Sequence, residues 1–328
     1  MVKGGYHCSI MPSSNPRVSI LIPTYNQEQF IAPCIASALD QTYDNLEAIV
    51  SDDASNDSTE QIARQFLTDT RLRYERNSTN IGRLNNYRRL LYELASGDWV
   101  LMLDGDDCLL NSNYILHAVE LALSAPDVVL VFGKVLEGQG VSTSRVSTHM
   151  GLQPVMTGTE FFLRHPPFYD VTPPHMTCLF RRDIAIRTHC YRHDILSSDL
   201  ESFYRMMIGH RIAFVDEIAG LWRQHDRNLS KRLSLEACSK NLIAFTGPRE
   251  YASSLGLSSE SELQKWVRRG AARYVLGCLR QMFEARNLLE ALRFAGYVLM
   301  FDVGIFGHAI VRVARRILLR PAAQSNLD

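Results

Sequence analysis

The chain has no excess charge of either sign: 35 Lys and Arg stand against 35 Asp and Glu among its 328 residues. No overall field draws it to nucleic acid or another polyanion, so any basic contact must be local. Cysteine is sparse and unpatterned. The seven thiols (Cys8, Cys34, Cys108, Cys178, Cys190, Cys238 and Cys278) are odd in number and never fall in a CxxC spacing. That pattern points to neither a disulfide framework nor a zinc site, and it suits a reducing cytoplasm. A long uninterrupted apolar run is also missing. Residues 294–311 come nearest, but Asp302 lies near their centre, where a carboxylate costs about 2.5–3.5 kcal/mol on the insertion scale. No transmembrane helix is therefore expected. Residues 1–16 lack the apolar stretch of a secretory signal and read as a loose tail.

What remains is an ordinary globular composition, 46% hydrophobic and 21% charged, long enough for one large domain with an appendage. Residues 18–22 are mostly apolar and closed by Pro23, the mark of a strand buried on both faces. A helix is expected over 29–40, where Phe30, Ile31, Cys34, Ile35, Ala38 and Leu39 recur near helical spacing. A strand over 46–51 follows. Ser58 with Gln61 forms a capping-box pattern ahead of Ile62, Ala63, Phe66 and Leu67, which opens a second helix. A weaker strand over 72–75 and a helix over 87–95 lead into the apolar strand 99–103, which ends in Asp104.

This alternation implies parallel strands with right-handed crossovers, a doubly wound α/β sheet with helices on both faces. Ligands bind beyond the carboxyl ends of such strands. Thr24, Tyr25 and Asn26, then Asp52 and Asp53, then Asp104, Asp106 and Asp107 would share one rim. Residues 133–174 read as irregular acceptor-side loops, containing His165 and His175 without assigned roles. Residues 212–215 and 221–223 read as later strand pieces. Past Leu233 the pattern is helical, as in Val267, Ala271, Tyr274, Val275, Cys278 and Met282.

Asp104-Gly105-Asp106-Asp107 is the strongest chemical signal. In extended backbone Asp104 and Asp106 point to one side, and Gly105 lets a phosphate approach the main chain. Mg2+ or Mn2+ needs only one or two carboxylates when a diphosphate and water complete its shell. An acidic turn capping a helix is the alternative. Asp52 and Asp53 are placed to accept hydrogen bonds from a base or ribose, while Asp57 and Ser58 suit a helix cap.

Taken in order, VSILIPTYNQ, IVSDDASNDST, the N-x-G of Asn80 and Gly82, and GDWVLMLDGDD make the chain resemble a family 2 glycosyltransferase of the GT-A fold. The likeness continues in Asp199-Leu200-Glu201-Ser202-Phe203-Tyr204-Arg205 and in the stretch from Trp222 to Ser230. It implies that Pro23, Thr24, Tyr25, Asn26, Asp52, Asp53, Asn80, Gly82, Asp104, Gly105 and Arg223 hold the donor. It further implies that Asp104, Asp106 and His225 serve the metal and that Asp199 is the general base. Ser198 stands where the family usually has Glu, and Trp222 where it usually has Tyr.

The implied activity is inverting transfer from a nucleotide sugar, a UDP-sugar in first place, to a saccharide or lipid-linked saccharide. The implied layout is a GT-A domain over 17–232 and a helical extension over 233–328. The rivals are a nucleotidyltransferase, which would carry a basic Gly-rich loop where this chain has PTYNQ, and a non-catalytic nucleotide-sugar-binding protein. In the extension Arg312, Arg315, Arg316 and Arg320 fall on one helix face. That face suits either an anionic membrane surface at the inner leaflet or plain solvent.

Overall fold

The computed structural model describes residues 15–147, 151–168, 170–226, 228 and 234–318. Strands β1 (Val18–Thr24), β2 (Leu46–Asp52) and β3 (Leu72–Arg76) pair in parallel, with β1 between β2 and β4 (Trp99–Met102). Strands β1, β2 and β4 are buried at every position, as their near-continuous apolar runs require. Helices α1 (Ile31–Leu39), α2 (Thr59–Arg64) and α3 (Arg83–Arg88) make the crossovers. Helix α3 continues as a π-helical segment, Arg89–Leu94, so the helix expected over 87–95 starts one turn earlier. The capping box at Ser58 does not form. Ser58 occupies the cap position without a side-chain bond, and Asp57 Oδ1 accepts instead from the N–H and hydroxyl of Thr59.

Beyond β4 the sheet becomes mixed. After β5 (Cys108–Leu109) and α4 (Tyr114–Leu123), the long strand β6 (Val128–Gly138) is followed by β7 (Arg145–Val146), β8 (Val155–Thr157) and α5 (Gly158–Arg164). Then come β9 (Leu179–Arg181), α6 (Arg182–Arg187), α7 (Ser198–Met207) and β10 (Arg211–Arg223). The strand order is β3-β2-β1-β4-β9-β6-β10-β5, with β9 antiparallel to both neighbours and β10 parallel to β6.

The segment expected to be loops from residue 133 therefore holds half of a central strand. Gly133 marks close packing there: a Cβ would meet Tyr114 Cε2 at 2.9 Å and Ala219 Cβ at 3.1 Å. The strand pieces at 212–215 and 221–223 are one strand, interrupted by register shifts between Val215 and Gly220.

Successive residues of β1 point to opposite faces. Ile20 and Ile22 join α1 and α4 in one core, while Leu21 joins the other with Met102, Phe132 and Phe203. That second core runs without interruption into α8 (Leu235–Lys240), α9 (Ile243–Ser254), α10 (Glu260–Glu284), α11 (Leu288–Phe301) and α12 (Val303–Leu318). Trp266 of α10 stacks on Phe162 at 4.4 Å. Asp302 breaks the apolar stretch 294–311 into two helices. Its Oδ1 accepts from Gly304 N at 2.8 Å, and Oδ2 binds Gln264 and Arg268 at 2.6 and 2.7 Å. Among the described residues no helix is long and apolar enough to cross a membrane. Arg312, Arg315 and Arg316 lie on α12, and Arg320 falls outside the described residues.

Candidate active site

The first loop is bolted to the second. Asn26 takes a left-handed backbone (φ 53°), donates its N–H to Ser55 Oγ and accepts from Asn56 N on Oδ1, both at 2.9 Å. Tyr25 is left half-exposed at the rim, and Thr24 Oγ1 donates to Gln27 Oε1 at 2.7 Å. The carbonyl of Pro23 accepts from Gly105 N, and that of Thr24 from Asp53 N. One short segment thus ties three strand ends together.

The two acidic residues after β2 part company. Asp53 accepts from Asn77 Nδ2, Ile81 N and Gly82 N at 2.7–2.8 Å, so it holds the Asn80–Gly82 loop in place. Gly82 needs its positive φ of 86° there, and Asn80 Oδ1 also accepts from its N–H. Asp52 does not face the rim as expected. It is fully buried against β3, accepting from Ser55 N, Tyr74 Oη at 2.6 Å and Arg76 at 3.0 Å. The parallel register pairs Asp52 with Arg76, so the guanidinium of a surface arginine reaches in to neutralise that buried carboxylate.

The run from Asp104 to Asp107 also departs from expectation. It is a turn, closed by Asp107 N to Asp104 O at 2.8 Å, so Asp104 and Asp106 are not alternate residues of an extended strand. The face of Gly105 is filled by the first loop, since a Cβ would sit 2.3 Å from Gln27 Oε1 and 3.0 Å from Thr24 Oγ1. Close approach of the chain to itself, not of a phosphate, accounts for that glycine in this structure.

Each carboxylate in the turn has its own partner. Asp104 accepts from Tyr87 Oη at 2.5 Å and lies 3.6 Å from His175 Nδ1. Asp106 Oδ2 meets His225 Nε2 at 2.9 Å, and Asp107 Oδ1 accepts from Arg223 N at 2.9 Å. The Arg223 guanidinium donates to the Asp106 carbonyl and lies over Phe30, on which His225 also stacks at 4.7 Å. Burial and then the Asp104 charge push the Asp106 carboxyl up; burial and the two neighbouring aspartates push Asp107 up further. Burial also works against ionised Asp104, but His175, Tyr87 and Arg83 outweigh it and hold that carboxyl below its usual range.

No three His, Cys, Asp or Glu side chains converge as a metal cage among the described residues. The expected set divides: Asp106 and His225 touch, while Asp104 turns to His175 and Tyr87. A buried cluster of carboxylates, in which burial and then neighbouring charge push Asp106 and Asp107 up, nevertheless suits a hard cation that takes one or two protein oxygens and fills its shell from a diphosphate and water.

Asp199 lies half-buried in the first turn of α7. Its carboxylate forms no hydrogen bond or ion pair among the described residues, so it does not cap that helix. Its charge acts on His175 and Arg83. Those two residues were not singled out from the sequence as site residues. His175 shares a hydrogen bond with Tyr191 Oη at 2.9 Å, lies 3.6 Å from Asp104, and is raised above the usual histidine value. Burial opposes that shift, and the Asp104 contact and Asp199 charge overcome it. Arg83 covers the Tyr87 ring at 5.3 Å and donates to the carbonyls of Ile195 and Leu196 at 3.0 and 3.3 Å. It joins the Gly82 loop to the segment that leads into Asp199. The only sequence cue was its place directly after Gly82. His165, by contrast, pairs with Asp170 and packs on Phe161 of α5.

Residues 19–188, just over half of the chain, match the model of glycosyl transferase family 2. The chain belongs to that family. The poly(ribitol-phosphate) beta-N-acetylglucosaminyltransferase TarS of Staphylococcus aureus (strain Mu50 / ATCC 700699) is 30% identical over 130 residues, 39% of this chain and 23% of TarS. The GalNAc(5)-diNAcBac-PP-undecaprenol beta-1,3-glucosyltransferase of Campylobacter jejuni is 34% identical over 97 residues, 29% of this chain and 31% of that enzyme. The chain thus aligns with less than a third of either relative's length.

Among solved structures, TarS residues 1–349 with UDP-GlcNAc superpose with a TM-score of 0.58 at 16% identity, covering 92% of both chains. The mannosyltransferase PcManGT of Pyrobaculum calidifontis, with GDP-Man and Mn2+, gives 0.56 at 17% identity, covering 94% of this chain and 89% of its own. The likeness in fold thus covers the C-terminal helices as well as the α/β sheet.

Proposed function

We propose that this chain is an inverting glycosyltransferase that moves a sugar from a nucleotide-diphosphate donor, a UDP-sugar in first place, to a hydroxyl of a saccharide or lipid-linked saccharide. The observation that carries this reading is the Asp199 carboxylate, half-buried and without a hydrogen bond among the described residues, whose charge acts together with that of Asp104 on His175 and Arg83. Asp199 takes the proton of the acceptor hydroxyl as its oxygen bonds to the anomeric carbon, and the bond from that carbon to the diphosphate oxygen breaks on the opposite face. Asp53, the Asn80–Gly82 loop and Tyr25 frame the nucleoside. Arg223 lies toward the phosphates.

Asp104 and Asp106, with His225 behind Asp106, would hold Mn2+ or Mg2+, which supplies positive charge for the leaving diphosphate. The UDP-GlcNAc bound to TarS and the GDP-Man with Mn2+ bound to PcManGT support such a donor and ion by likeness. The undecaprenol-linked acceptor named for the Campylobacter relative supports a lipid-linked acceptor, for the synthesis of a cell-surface polysaccharide or glycolipid.

The test is nucleotide release from UDP-, GDP- and dTDP-sugars with Mn2+, repeated with EDTA and with Asp106→Ala. Release from a UDP-sugar that both changes suppress is expected. Release indifferent to EDTA would remove the metal from the mechanism, and release from none of the three would remove the reading.

A further inference from the structure

Helices α11 and α12 leave an apolar surface uncovered. Helix α11 buries Ala291, Phe294 and Val298 against the body of the protein, a stripe at i, i+3 and i+7. In a surface helix the rest should be polar. Instead Leu289, Leu292 and Met300 are exposed, Leu292 at 69% and Met300 at 86%, and Val303 and Ile310 of α12 continue the exposure. A helix that is apolar on its outer side as well as its inner one needs a second apolar environment.

The charge around this surface points to the occupant. Arg286 and Arg293 are exposed beside it, and α12 goes on through Arg312, Arg315 and Arg316. Against these, residues 285–318 contain only Glu290 and Asp302, and Arg268 already pairs with Asp302 at 2.7 Å. An isologous contact with a second copy would set Arg286 and Arg293 of the two copies against each other. An anionic lipid surface offers both an apolar phase and negative headgroups.

We propose that the α11–α12 face docks on an anionic bilayer. Leu289, Leu292, Met300, Val303 and Ile310 enter the boundary between headgroups and acyl chains, while Arg286 and Arg293 meet lipid phosphates. The purpose of docking rests on the lipid-linked acceptor proposed above; the contact itself does not.

The experiment uses the full chain in sedimentation with phosphatidylglycerol-containing vesicles and with pure phosphatidylcholine vesicles at low salt. Wild type is compared with the double variant Leu292→Glu/Met300→Glu, whose two exposed sites leave folding intact. Wild type should sediment with the anionic vesicles and less with the neutral ones. The double variant should partition about a hundredfold less, because two buried side chains of this size are lost to the lipid phase. Its melting temperature and nucleotide release should stay unchanged.

Wild type that stays in solution with anionic vesicles, or a variant that sediments equally, overturns the proposal. So does a lipid-free dimer, seen by light scattering, that the same substitutions dissociate. Vesicle binding without nucleotide release from any donor would sink the glycosyl-transfer reading and leave the membrane contact standing.

Discussion

Asp199→Asn separates the roles open to a carboxylate at the start of α7. Asn has the size of Asp but cannot take a proton, so the base is removed while the shape is kept. General base catalysis contributes about 10²- to 10⁴-fold, or roughly 2.7–5.5 kcal/mol of barrier, and single-turnover transfer should fall by that amount. Stability should hardly respond. The carboxylate accepts no hydrogen bond among the described residues, so the change removes its interaction with the helix N-terminus, about 0.3–1 kcal/mol, and its longer-range attraction for His175 and Arg83. In a chain of this size that lowers Tm by no more than about 3 °C. The charge on Asp199 also helps to hold His175 in its protonated form. In Asp199→Asn the His175 titration, followed by NMR, should therefore move to lower pH. Donor affinity should stay near that of wild type. If transfer by Asp199→Asn runs near the wild-type rate, Asp199 is not the base and the chemistry must be reassigned.

Two further substitutions test the framework around the site. Glu201→Ala strands the buried Arg205, whose guanidinium meets Glu201 at 2.6 and 2.9 Å, and should cost about 3–5 kcal/mol in urea unfolding; a loss under 1 kcal/mol would mean that the backbone carbonyls of Thr188 and His189 suffice for that arginine. Glu47 accepts from Ser19 Oγ, Ser96 N and Ser96 Oγ. Burial alone would raise its carboxyl, but these bonds and Arg17 lower it. With the folded pKa depressed, its contribution is present above the unfolded value and disappears as pH falls through the folded one. Wild type should exceed Glu47→Gln by about 2 kcal/mol at neutral pH, and the gap should close on acidification; a gap independent of pH would assign the effect to shape.

Local pattern alone was enough to find β1, β2 and β4. Buried parallel strands leave no polar face, so their apolar runs stand out, and the residues that follow them are necessarily at one rim. Helical spacing likewise marked α10, and Asp302 was visible as the charge that interrupts the apolar run 294–311, though the split into α11 and α12 at that residue was not. Other features depend on partners distant in the chain. Gly133 and Lys134 look like a loop until β9 and β10 are seen pairing on either side of β6. Asp52 and Asp53 are both buried, and which of them meets a cation follows from the register that brings Arg76 beside Asp52. The bend at Asp104 and the crowding on Gly105 come from the first loop closing against β4.

His175 and Arg83 carry no spacing that distinguishes them. They acquire a place only because folding brings residue 175 against Asp104 and within reach of the Asp199 charge, and sets Arg83 against the carbonyls before α7. Sequence determined what each short segment can form, since propensity and pattern act within a few residues. Tertiary structure decided which charges meet, because the energy of a buried carboxylate depends on whichever group the fold places within a few ångströms of it.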